Sequence, residues 1–111
     1  MEKKSLNQLY ELYKDTLNKC GSYLLEESDE TIEYNIFEEF DIGIVSFLHE
    51  ECLRKLFEGG FITNLEMKDA LILRETVLDL QISDNWNIKA IKTNKTWREV
   101  FKLCDKIKRM W

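Results

Sequence analysis

Four adjacent residues, His49-Glu50-Glu51-Cys52, set the only histidine of the chain beside two carboxylates and a thiol. Helix positions three apart share a face, so His49 and Cys52 could act together on a metal or as a base and nucleophile. The stretch lacks the second histidine of HExxH, and a catalytic zinc usually takes three protein ligands, which no other spacing here supplies. Cys52 also falls among apolar positions, whereas a reactive thiol needs exposure and an orienting partner. The doublets Glu26-Glu27, Glu38-Glu39 and Glu50-Glu51 do no better. Neighbours on a helix point about 100° apart, so a doublet is not an acid–base dyad. Gly59-Gly60 has neither GxGxxG nor Walker spacing. No catalytic residue, metal ligand or cofactor site is expected.

Charge is the stronger signal. Between Glu26 and Glu58 stand eleven acidic residues against Arg54 and Lys55, whereas from Asn85 to Trp111 eight Lys or Arg face only Glu99 and Asp105. A chain of formal charge −5 is thus split into an acidic segment and a basic tail. Such fields steer partners and set association rates without setting the fold. The acidic segment interleaves aromatics with its acids: Glu26, Glu27, Asp29, Glu30, Glu33, Tyr34, Phe37, Glu38, Glu39, Phe40 and Asp41. Interface centres favour aromatics, and complementary charge at the rim speeds encounter with a basic partner. These eleven residues are the candidate partner-binding site, with Glu50 and Glu51 as an extension.

The tail invites a competing reading. Lys102, Lys106 and Arg109 could neutralise phosphates, with Trp86, Trp97 and Trp111 stacking on bases. Against it, Trp97 and Trp111 share an apolar stripe, the whole chain is acidic, and basic residues near a helix C-terminus suit the helix dipole without any ligand. A small regulatory or adaptor domain binding nucleic acid or a nucleoprotein through this helix is the alternative.

Helices must position these groups. The chain has 111 residues, no proline and four glycines, and its 44% hydrophobic content suits one core. The spacing predicts a helix after Ser5 to about Cys20, stopped by Gly21. A less regular segment follows over Ser22–Asp41, capped at Ser28 and carrying Ile32, Ile36, Phe37 and Phe40. A third helix runs from Ile42 to Glu58 with Ile44, Val45, Leu48, Cys52, Leu56 and Phe57 inward, closed by Gly59-Gly60. Thr63 and Glu66 match a capping box. Behind it Met67, Ala70, Leu71, Arg74, Val77, Leu78 and Gln81 form a stripe that Leu73 and Leu80 widen. The last helix starts near Thr93-Asn94 and turns Trp97, Val100, Phe101, Cys104, Ile107 and Trp111 inward. The glycines read as punctuation between helices. The expectation is an all-α single domain, residues 1–111, a bundle of four to five helices. Cys20, Cys52 and Cys104 are odd in number and lack CxxC spacing, which suits buried reduced thiols. Met1–Ser5 leads into a mixed pattern and not an apolar signal core, and no stretch is long enough to span a membrane. A cytoplasmic protein is expected.

Leu53, Leu56, Gly60, Ile62, Leu73-Arg74, Leu78, Leu80, Trp86-Asn87, Ala90, Trp97-Arg98 and Val100-Phe101 form a further pattern. It reads as a helix ending in Gly-x-Ile, a helix with Leu-Arg and spaced leucines, then Trp-Asn and a final Trp-Arg-x-Val-Phe helix. Over about half the chain this resembles the small helical immunity proteins of bacterial contact-dependent growth inhibition and related polymorphic toxin systems. The resemblance implies a cytosolic inhibitor of one cognate toxin C-terminal domain, often a basic nuclease, with no catalytic residues and no direct contact to nucleic acid. Partner specificity would then lie in the first half of the chain, outside the pattern.

Overall fold

Ser5 begins the first helix with a reciprocal cap: its hydroxyl accepts the Gln8 amide at 3.1 Å, and the Gln8 side chain accepts the Ser5 amide at 3.0 Å. The computed structural model describes residues 5–111, so the reading of Met1–Lys4 lies outside the described residues. α1 (Leu6–Asn18) leads into a 3₁₀ turn (Ser22–Glu26). α2 (Asp29–Glu33), a π-helical turn (Tyr34–Phe40) and α3 (Asp41–Ser46) then run on without a break, because every junction residue stays in the right-handed helical region. α4 (Glu50–Glu58), α5 (Asn64–Gln81), α6 (Ile88–Thr93) and α7 (Lys95–Arg109) complete the chain. Taking residues 29–46 as one rod, six helices and no strand are present among the described residues. The all-α, single-domain expectation holds, with five long helices and the short α6.

Side chains satisfy the open amides at the helix starts. Ser28, Thr63, Asn87 and Asn94 each accept an amide of the turn they begin. α5 packs on α4 and α7, and α1 crosses α3, α4 and α7. Between them lie Tyr13, Leu17, Phe40, Leu53, Leu56, Trp97 and Phe101, all essentially out of solvent. The radius of gyration, 13.7 Å, matches the roughly 13 Å of a folded domain near this length.

α4 ends in a Schellman motif. Phe61 N–H bonds Leu56 C=O at 2.9 Å, Gly60 N–H bonds Phe57 C=O at 3.0 Å, and Gly60 takes φ 81°. The other glycines differ from expectation. Gly21 is extended (φ 161°) and does not close α1, whose C-cap is Lys19. Gly43 is not punctuation: it lies inside α3, where the rod crosses α1 at Thr16.

Further expectations are corrected. The helix expected over Ile42–Glu58 breaks at Phe47–His49, and Val45 and Phe57 face solvent. His49 caps α4: its Nδ1 accepts the Glu51 amide at 3.2 Å. The Thr63 hydroxyl accepts the Glu66 amide at 3.1 Å, as a capping box requires, but the Glu66 carboxylate turns inward. There it accepts from Tyr13 Oη at 2.7 Å and Trp111 Nε1 at 3.1 Å. The inner face of α5 accordingly carries Glu66 and Asp69 ahead of Ala70, Leu73, Val77 and Leu80. Arg74 and Leu78 lie at its margin. Trp111 lies past the end of α7 and stays partly exposed, outside the buried stripe.

Burial, and next the hydrogen bond to Glu66, push the Tyr13 phenol well above the ordinary tyrosine value of about 10. The folded state therefore keeps a proton that the unfolded state releases. This contribution to stability is complete below about pH 10 and shrinks above it by roughly 1.4 kcal/mol per pH unit. Urea midpoints at about pH 9 and about pH 11 should fall further for the parent than for Tyr13→Phe. An equal fall in both proteins would show that Tyr13 does not hold its proton.

Candidate protein-binding surface

Most of the expected site residues lie on the 29–46 rod, and its helical pitch decides which of them face outward. The apolar residues Ile32, Ile36, Phe40, Ile44 and Leu48 recur every four residues. In an α-helix of 3.6 residues per turn, each four-residue step over-rotates by about 40°, so such a stripe would wind off the core within three steps. The π-helical turn widens the coil: the Asp41 amide bonds Ile36 C=O, five residues back. All five apolar side chains are then fully buried.

The same turn sorts the aromatics. Phe40 is fully buried and belongs to the core. Phe37 is half-buried with its ring centroid 5.2 Å from that of Trp86, the outer end of a stack continuing to Trp97 (5.4 Å) and Phe101 (6.0 Å). Tyr34 is half exposed, and its hydroxyl donates to Glu39 Oε1 at 2.6 Å. That bond raises the Tyr34 pKa. Phe37 is thus a fixed floor, and Tyr34 a projecting ring held by its own carboxylate.

The acids divide likewise. Glu26, Glu27, Asp29, Glu30, Glu33 and Glu38 are exposed, and Glu39 and Asp41 are half-buried. Asp29 pairs with Lys92 of α6, so the acidic and basic segments meet at one point. Asp41 accepts a hydrogen bond from Gln81 of α5, and burial pushes its carboxyl up. These two acids tie the rod to the bundle. Glu30, Glu33 and Glu38 instead surround Tyr34 and Phe37 in a shallow groove of ≈ 320 Å³. Glu26 and Glu27 lie before the rod, and Glu50 and Glu51 occupy the first turn of α4, where they suit the helix dipole.

In the basic tail, Lys106 reaches the buried Asp69 at 3.1 Å and Lys108 donates to Cys20 C=O at 2.7 Å. Lys106, Lys108 and Arg109 also end α7 with the charge its dipole favours. Lys95, Arg98 and Lys102 are exposed along α7. Trp97 is buried and Trp86 lies between Phe37 and Trp97, so two of the three tryptophans are not free to stack on bases.

Cys20 and Cys104 are buried, and burial pushes the Cys20 thiol well up. Cys52 is half-buried, its thiol donating to Ser46 C=O at 3.3 Å. Among the described residues no three His, Cys, Asp or Glu side chains gather as metal ligands, and no helix is long and apolar enough to cross a membrane. No known protein family matches the chain, and neither a curated protein nor a solved structure shows significant similarity to it.

Proposed function

We propose that the protein is an immunity-type inhibitor that neutralises a cognate toxin domain, a basic nuclease, by covering its active-site cleft with the acidic face of the 29–46 rod. The observation that carries this reading is the groove in which Glu30, Glu33 and Glu38 surround Tyr34 and Phe37. Aromatic anchors inside an acidic rim match what a cationic cleft requires: the rings supply contact area and the carboxylates supply steering. Phe37 is held by the Trp86 stack, so it is already ordered before a partner arrives.

Its test is association with the toxin domain encoded by the neighbouring reading frame, followed by growth protection. In Glu30→Lys/Glu33→Lys/Glu38→Lys the association rate should fall about tenfold or more at low salt, with the gap closing as salt rises. Tyr34→Ala should act on dissociation, raising that rate about tenfold. Full protection by the triple variant would remove this surface from the interface, and a neighbouring frame without a toxin domain would count against the whole reading.

A further inference from the structure

A second concavity, ≈ 510 Å³, lies on the other side of the rod, between the end of α1, the 3₁₀ turn and the π-helical turn. That volume is in the range of ligand sites. Its walls are of two kinds. Leu12, Ile42 and Phe47 are its apolar lining, and Ile42 is 58% exposed. Asp15 and Glu39 stand on the polar side.

The electrostatics there are unbalanced. Asp15 occupies the last turn of α1, where the helix dipole is already negative and an anion is disfavoured. No basic residue stands in that turn to offset it, and among the described residues Lys19 is the only cation on the cavity wall. Among the described residues neither Asp15 nor Glu39 forms a salt bridge, and Glu39 spends one oxygen on the Tyr34 hydroxyl. Two carboxylates and a helix C-terminus thus line one cavity together with apolar side chains.

We infer that this cavity receives a basic side chain of the partner protein, its aliphatic stem along Ile42 and Phe47 and its charged end between Asp15 and Glu39. A long side chain with an apolar stem and a cationic head matches both walls, and a guanidinium can bond two carboxylates through separate N–H groups. This rests on the reading of the protein as an inhibitor of a basic toxin domain. It adds a second contact, because Tyr34 of the groove bonds Glu39 of the cavity and couples the two sides of the rod.

The test uses the full chain, isotope-labelled and titrated with N-acetyl-arginine amide while backbone amide shifts are followed by NMR. Saturable shifts should appear at Asp15, Asn18, Tyr23, Asn35 and Gly43. They should fall at least about fivefold in Asp15→Asn/Glu39→Gln, and the uncharged citrulline analogue should produce none. Shifts that spread over the whole acidic surface or survive the double substitution would overturn the inference. So would 1,4-diaminobutane acting at about tenfold lower concentration, since the site would then take free diamines. No toxin enters this experiment, so the two ideas fail separately. A positive titration beside full protection by the Glu30/Glu33/Glu38 variant sinks only the inhibitor surface, and the reverse pattern sinks only the cavity.

Discussion

Gly43→Ala should lower the melting temperature by roughly 8–16 °C, a loss of about 2 kcal/mol in a domain of this size. Helix propensity alone predicts the opposite sign, since alanine in a helix interior is favoured over glycine by about 1 kcal/mol. Packing reverses it. A β-carbon at position 43 would overlap Oγ1 and Cγ2 of Thr16 and lie 2.7 Å from its Cβ. Threonine carries two heavy atoms on Cβ, so turning χ1 swaps one overlap for the other. Thr16 is also 5% exposed and donates to Leu12 C=O at 2.9 Å, which leaves it little room to retreat. The rod must therefore move off α1, and forcing a packed interface apart costs about 1–3 kcal/mol or more. Thr16→Ala in the same chain should recover part of the loss, because it removes the two overlapping atoms but not the Cβ. Thermal melts of the two single variants and the double variant check this. A Gly43→Ala protein as stable as the parent would mean that the two helices do not meet this closely.

That crossing also bears on function. Gly43 and Thr16 line the cavity whose polar side is Asp15 and Glu39. Separating the helices would change the distance between those carboxylates before it disturbed the Tyr34 and Phe37 side of the rod. Gly43→Ala should thus weaken arginine-amide binding even where enough folded protein remains to measure it.

How far the sequence showed these features depends on which force set each one. α7 was legible because Trp97, Val100, Phe101, Cys104 and Ile107 keep the period of an isolated amphipathic helix, and Asn94 caps it as its type predicts. The end of α4 was legible because a glycine pair after an apolar stripe marks a helix stop, and the second of the pair, Gly60, takes the left-handed φ. The break at Phe47–His49 was hidden. No glycine or proline marks it, and the apolar spacing from Ile44 through Leu48 continues across the kink. The acids Glu50 and Glu51 were the available sign, since carboxylates concentrate in first turns. The stripe read for α5 held Ala70, Leu73, Val77 and Leu80, all buried, but it missed Glu66 and Asp69 because a hydrophobic pattern cannot register buried acids.

For the surface, the exposed acids could be read from charge alone, but the fates of Tyr34, Phe37 and Phe40 could not. At the α period Tyr34 points away from Ile32 and Ile36, whereas Phe37 and Phe40 lie about 60° apart and share their stripe. The π-helical turn separates them, burying Phe40, wedging Phe37 against Trp86 and leaving Tyr34 in solvent. The strict four-residue recurrence of Ile32, Ile36, Phe40, Ile44 and Leu48 was the trace of that turn in the sequence. The cavity left no comparable trace, because α1 and the rod meet there through tertiary packing alone.

Glu66→Ala should be among the most damaging single substitutions in the protein, costing about 2–4 kcal/mol. Glu66 is 3% exposed and its Oε2 serves two donors, Tyr13 Oη and Trp111 Nε1, from opposite ends of the chain. Removing the carboxylate leaves the Tyr13 hydroxyl buried without its acceptor, and a stranded donor costs more than the net worth of the bond it lost. It also opens space beside α1 and releases the indole that holds Trp111 against Tyr13, whose ring centroid is 6.4 Å away. The comparison that isolates the cause is Tyr13→Phe/Glu66→Leu, which removes the hydroxyl and the carboxylate together and refills the space with carbon. If stranding is the mechanism, this double variant should be clearly more stable than Glu66→Ala and lose less than the sum of the single losses. Urea denaturation of the set, with tryptophan fluorescence followed beside circular dichroism, compares the variants. A double variant no better than Glu66→Ala would shift the cause to the loss of charge opposite α7, where Lys106 already leans on the neighbouring buried acid Asp69.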